Sequence, residues 1–124
     1  MIYEQELTEQ IILSAIEVHR ILGPGLLESA YEECLCCELE NRKLFFERQK
    51  GVPIKYKGRL LNCQYRLDLL FENRVICELK CVDHLLLIHK VQLLTYLPLC
   101  NIKVGLLFNF NVPVLKNGLV RVVS

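Results

Sequence analysis

An α/β fold, a mixed central sheet flanked by helices, is what this sequence predicts, and three observations carry the prediction. Helical periodicity opens the chain and returns near residue 90. Short apolar or alternating strands fill the middle. Hydrophobic residues make up 52% of the chain against 23% charged, a balance of folded rather than disordered protein. At 124 residues there is room for one domain, 1–124, with a sizeable core.

The elements follow in order. Leu7, Ile11, Ala15, Val18 and Leu22 recur at helical spacing with Glu and Gln on the other side, predicting a helix over 4–22 that Gly23-Pro24-Gly25 stops. A second helix over 26–41 sets Leu27, Tyr31, Leu35 and Leu39 on one face. Strands are expected over 44–49 and 52–56, then, after a turn at Lys57-Gly58, over 60–71 and 75–81. A helix over 88–100, a strand over 103–110 and a hairpin around Lys116-Asn117-Gly118 complete an order of approximately ααβββαββ. Pro98 falls in the last turn of the third helix, which it should end or kink.

Charge is unevenly distributed. Residues 1–40 carry nine Glu and one Arg, whereas 41–66 carry eight Lys or Arg and one Glu, within a net charge of +1. The basic stretch (Arg42, Lys43, Arg48, Lys50, Lys55, Lys57, Arg59, Arg66) suits either a phosphate-facing stripe or a solvated hairpin surface balancing an acidic helix. No apolar run approaches the roughly 20 residues of a membrane span, and the acidic N-terminus lacks a signal-peptide pattern. The expected location is cytoplasmic, with no membrane partner. Seven cysteines, six of them in apolar segments, read as small hydrophobes in a reducing compartment. Zinc is the sharper alternative, but Cys34, Cys36 and Cys37 lack a second pair, and Cys77 and Cys81 would stand about 13 Å apart on a strand.

The chemistry concentrates in residues 65–81. Odd positions (Tyr65, Leu67, Leu69, Phe71, Val75, Cys77, Leu79, Cys81) are all apolar or aromatic, and even positions are Arg66, Asp68, Leu70, Ile76, Glu78 and Lys80, four of them charged. Side chains alternate across a strand, so one face is core and the other gathers the charges. A three-residue loop from Glu72 to Arg74 sets Asp68 directly opposite Glu78, where Cβ atoms stand about 4.5–5.5 Å apart; a two-residue loop would oppose Asp68 to Cys77 instead. Facing carboxylates repel unless a cation offsets them. Hard oxygen ligands at this separation suit Mg²⁺ or Mn²⁺, which lowers the pKa of a bound water and stabilises charge on a phosphate oxygen. Lys80, on the same side, is placed to orient or deprotonate an attacking water or to stabilise developing charge. The plain alternative is a salt-bridge cluster on a solvated face.

Asp68 followed by Glu78-Leu79-Lys80 resembles the D…(D/E)xK signature of the PD-(D/E)XK nuclease superfamily. More narrowly, Gly25-Leu26-Leu27-Glu28-Ser29-Ala30-Tyr31, with the segments HRILGPGLLESAYE, YRLDLLFENRVICELK, QLLTYL and VGLLFNF, resembles its GxxExxY family across nearly the whole chain. The resemblance implies a restriction-endonuclease-like core. It implies Asp68 and Glu78 as metal ligands, the Leu79 carbonyl as a further ligand and Lys80 as the catalytic lysine. It also implies Glu28 as an additional metal or water contact; a Glu in a first helical turn is equally explained by the helix dipole. Gln92 and Tyr96 form a QxxxY similar to that of RecB-type nucleases, which closes the site from the next helix; local hydrogen bonding and core packing are the alternatives. His89, one turn earlier, is a candidate phosphate contact or a structural histidine. Arg48, Lys50, Lys55, Lys57 and Arg66 are candidates for the nucleic-acid backbone. The superfamily's leading Pro is replaced by Leu67. The implied activity is Mg²⁺-dependent hydrolysis of DNA, with RNA open, in a homodimer by analogy with small junction-resolving nucleases. A non-catalytic nucleic-acid-binding or assembly module on the same fold is the competing reading.

Overall fold

The computed structural model describes residues 3–124; the first two residues of the acidic N-terminal segment lie outside them. Two helices, α1 (Gln5–Leu22) and α2 (Glu28–Asn41), precede five strands: β1 (Glu47–Gly51), β2 (Ile54–Tyr56), β3 (Arg59–Leu61), β4 (Arg66–Phe71) and β5 (Val75–Lys80). Helix α3 (Leu87–Leu99), β6 (Val104–Asn109), a 3₁₀ turn (Leu115–Gly118) and β7 (Leu119–Val123) follow. The main sheet has the order β1-β4-β5-β6-β7, antiparallel except for the parallel pair β5–β6, and β2 pairs only with β3. The mixed α/β architecture is as expected, with two departures in the strands. The strand expected over 60–71 is two, β3 and β4, because residues 62–65 leave the sheet. The expected last hairpin is a 3₁₀ turn leading into β7.

Helices cover both faces of the sheet. Leu7, Ile11, Ala15 and Val18 of α1 and Tyr31, Leu35 and Leu39 of α2 form one core with Leu69, Phe71, Val75, Cys77, Leu79 and the even residues 104–110. Leu93, Tyr96 and Leu97 of α3 form the other with Leu67, Leu70, Ile76, Leu107 and Val122. Strand β6 is buried throughout, which accounts for its near-continuous apolar sequence. Gly105 lets α3 lie close on it, since a Cβ there would meet the Leu93 side chain at 2.9 Å. Leu27, expected on the buried face of α2, instead precedes the helix and is exposed. Cys36 and Cys77 are buried as small hydrophobes, but Cys37 and Cys63 are exposed. No helix is long and apolar enough to cross a membrane among the described residues.

The expected hairpin register is present. Leu69 pairs with Cys77, Leu70 with Ile76 and Phe71 with Val75, so the next opposed residues are Asp68 and Glu78. Glu72 and Asn73 both take left-handed conformations (φ 50° and 54°), and the Arg74 N–H donates to the Phe71 carbonyl at 2.8 Å. Two positive φ values make a turn whose twist matches that of the strands. The alternation holds from Leu69 onward but slips before it: Leu67 lies in the α3 core and Tyr65 is exposed, not on the α1–α2 side with Leu69. Asp68 is the pivot of that slip.

Candidate functional site

At Asp68 and Glu78 the strands exchange side-chain bonds. The backbone N–H of Asp68 donates to the Glu78 carboxylate at 2.8 Å, and the Leu79 N–H donates to the Asp68 carboxylate at 2.7 Å. Each acid is thus docked on the other's strand. Across β4, in step with the Arg48–Leu69 and Lys50–Leu67 pairs, Gln49 opposes Asp68 with a left-handed φ of 51°. That conformation is uncommon for a non-glycine residue inside a strand, so the irregularity spans β1, β4 and β5 at one level of the sheet.

Electrostatics follow from this docking. Glu78 is buried, and desolvation, followed by the charge of Asp68, pushes its carboxyl up to about 8. The Asp68 N–H and the Lys80 ammonium offset only part of that. Partial desolvation and then Asp68 also raise Glu28, although Glu28 as a residue stays exposed at the start of α2. Lys80, the last residue of β5, is half-buried and lowers both acids. Tyr96 on α3 is buried and held above the usual phenol range by desolvation, then by the charge of Glu78, with Tyr65 and Asp68 adding to it. Gln92 stands one turn earlier on α3, half-buried. Asp68, Glu78, Lys80, Glu28 and Tyr96 therefore act on one another from four elements, and the main chain of Leu79 reaches the group through its N–H.

The donor set can be tested against a metal. Among the described residues no three His, Cys, Asp or Glu side chains converge closely enough to hold an ion by themselves. Two hard carboxylates facing each other, one pushed up by burial and then by the charge of the other, fit a Mg²⁺ or Mn²⁺ that keeps several waters. The pair itself brings neither the imidazole nor the thiolate that accompanies carboxylates in zinc sites.

Helix α2 is aimed by a local buckle. Gly25 takes a φ of 102°, open only to glycine without strain. The Tyr31 hydroxyl donates to the Gly23 carbonyl and accepts from the Leu26 N–H at 3.2 Å, while its ring stacks on Phe110 at 4.6 Å. The tyrosine thus locks the turn that delivers Glu28. Tyr31→Phe keeps the stack and loses both hydrogen bonds of a fully buried hydroxyl. The expected loss is about 1–2 kcal/mol of stability, read by urea denaturation; an unchanged midpoint would show that the turn is held by other contacts.

The remaining sequence candidates divide. Arg48 is engaged by Glu32 and Glu33 of α2 at 2.9 and 2.6 Å, because the acidic face of α2 lies against the β1 edge. Lys50 pairs with Glu47 at 2.9 Å, and Arg66 donates to the Gln49 carbonyl at 3.1 Å. The His89 ring nitrogen accepts the Leu86 N–H at 3.0 Å, capping α3. Lys55 and Lys57 stand on the β2–β3 hairpin with no ion pair among the described residues. Sequence reasoning missed Asn109. Buried beside Lys80 at the carboxyl ends of the parallel strands, it accepts the Val82 N–H at 3.1 Å and donates to the Val82 carbonyl at 2.8 Å, fixing the chain just past the lysine. A lone Asn closing an otherwise apolar strand was the available signal, since ligands gather where parallel strands end.

A family model described as the PD-(D/E)XK nuclease superfamily matches residues 5–122 of the chain. No curated protein and no solved structure matches it.

Proposed function

The chain belongs to the PD-(D/E)XK nuclease superfamily, and from that premise we propose that it is a metal-dependent phosphodiesterase acting on DNA, working as one domain over residues 1–124. The single observation that carries the reading is the exchanged docking of Asp68 and Glu78 on each other's strand. It holds two carboxylates opposite each other in a partly desolvated place, at the cost of a raised Glu78. A surface salt-bridge cluster has no need of that arrangement.

In this reading Asp68 and Glu78 hold Mg²⁺ or Mn²⁺, with the Leu79 carbonyl and Glu28 as further contacts directly or through water. When bound, the ion supplies an acidified water and neutralises charge on a phosphate oxygen. Lys80, at the rim beside both acids, orients the attacking water and stabilises negative charge as it develops. Tyr96, with Gln92 one turn before it, closes the site from α3 and limits water there. Asn109 keeps Lys80 in place by pinning Val82. Cutting both strands of a duplex would call for two sites, so a homodimer is part of the proposal.

A second reading, a nucleic-acid-binding module without catalysis, draws on the fact that among the described residues no three acid, histidine or cysteine side chains converge to hold an ion. Titration of Mn²⁺ into the chelator-stripped protein, with plasmid cutting measured alongside, separates the two. The nuclease reading expects saturable binding and cutting that a chelator stops. Nucleic-acid binding without either would leave the module.

A further inference from the structure

We propose that Tyr65 and Tyr56, with the cations of the β2–β3 hairpin, form a platform for unpaired nucleotides, so that the preferred substrate is single-stranded DNA rather than intact duplex. The inference deepens the nuclease reading and rests on it for what the platform feeds.

The hairpin emerges between β1 and β4, where the Val52 N–H donates to the Tyr65 carbonyl at 2.8 Å, and its strands bond only to each other. It turns on Lys57 and Gly58, both left-handed (φ 50° and 79°). Lys55, Lys57 and Arg59 form no ion pair among the described residues, in contrast to Arg48 and Lys50 at its foot. Cations alone would serve any nucleic acid, since phosphates carry no information about pairing.

The rings decide between strands. Tyr56 is 61% exposed, with the Lys57 ammonium 5.6 Å from its ring centre. Tyr65 is 50% exposed and leans on Tyr96, ring centres 6.1 Å apart and planes at 55°. Tyr65 precedes Asp68 by three residues, about 10 Å along an extended strand. Stacked nucleotides rise about 3.4 Å each along one strand, so a base on Tyr65 sits about three nucleotides from a phosphate at Asp68. Bases in a duplex already stack on one another and offer an external ring little. Unpaired bases gain from each ring they cover, in any sequence. Tyr96 braces Tyr65 from behind, which lowers the entropy cost of presenting it.

The test uses the full chain in chelator, with a fluorescent oligonucleotide of about 20 nucleotides, longer than the stretch one such module covers, and the duplex of the same sequence. Anisotropy should show the single strand bound at least about tenfold more tightly. Tyr65→Leu should lose most of that preference and Tyr65→Phe keep it, both melting like the parent because the residue is half-exposed. Equal affinity for the two forms, or a Tyr65→Leu protein that binds like the parent, would overturn the platform. Because no metal is present, the result does not depend on cutting. A protein that binds single strands and never cuts would sink the proposed activity and leave the platform standing. One that cuts duplex regardless of Tyr65 would do the reverse.

Discussion

The Lys80→Ala protein is expected to bind Mn²⁺ as tightly as the parent or more so, and to cut plasmid at least about a hundredfold more slowly, whereas Glu78→Gln is expected to lose both. The split follows from where the two side chains sit. Lys80 is half-buried at the end of β5, and its charge works against a cation held by Glu78 and Asp68. Removing it relieves that opposition while taking away the group placed to orient water or stabilise charge. Glutamine at 78 keeps the shape and an oxygen to accept the Asp68 N–H, so the docking survives. It removes the charge that a cation needs. Groups that merely support metal ligands cost about 10–100-fold when lost, so a ligand itself should cost more, about a thousandfold. Calorimetric titration with Mn²⁺ and the rate of plasmid nicking give the two readouts. A Lys80→Ala protein that cuts at the parent rate would remove the lysine from the chemistry, and a Glu78→Gln protein that still binds Mn²⁺ would remove Glu78 from the ligands.

The architecture was legible because its signals are periodic. Leu7, Ile11, Ala15 and Val18 define one buried stripe, and all four lie in the core. The register of the hairpin was legible for a simpler reason: a one-residue slip would have set Leu69 and Phe71 on the opposite face from Val75 and Cys77, and the observed pairs keep all four on one face. From that register the opposition of Asp68 and Glu78 follows with no further information. What the alternation pattern concealed was its own failure at Asp68. Both faces of this sheet are covered, so Leu67 and Leu69 are equally apolar while lying in different cores. A pattern of apolar against polar cannot register a slip between two buried faces.

The site's supporting parts were harder to see for a different reason. The docking of each acid on the opposite strand is a tertiary bond between a side chain and a backbone N–H, and composition carries no trace of it. Arg48 shows the same limit from the other side. In sequence it belongs to a basic run, but the run is cut by the fold: α2 brings Glu32 and Glu33 onto Arg48, and the hairpin carries Lys55, Lys57 and Arg59 away from those acids. Local charge density predicted the existence of a basic surface, and only the packing of α2 decided which residues remain free to meet a phosphate.

Melting of the metal-free protein should respond directly to the desolvated carboxylate, falling as pH rises from about 4.5 to about 8 and levelling above that. In the unfolded chain Glu78 titrates near 4.5, and in the folded chain near 8, because burial and then Asp68 disfavour its charge. A group whose folded pKa is raised gives its full stabilisation below the unfolded value and loses it as pH climbs through the folded one. A tenfold change in proton affinity between the two states corresponds to about 1.4 kcal/mol. With Asp68 and Lys80 sharing the field, about 3 kcal/mol is a reasonable span for the whole window, or roughly 10 °C for a domain of this size. Glu28, raised in the same direction, adds slightly to the same slope. Glu78→Gln should flatten most of the fall and melt above the parent at pH 8, since glutamine has no charge to desolvate. Saturating Mn²⁺ should oppose the fall in the parent, its stabilising effect growing with pH as the proton ceases to compete. A parent whose metal-free melting is flat across this window would mean that Glu78 is ionised at little cost. The pair would then need no cation, and the salt-bridge cluster considered from the sequence would become the better account of Asp68, Glu78 and Lys80.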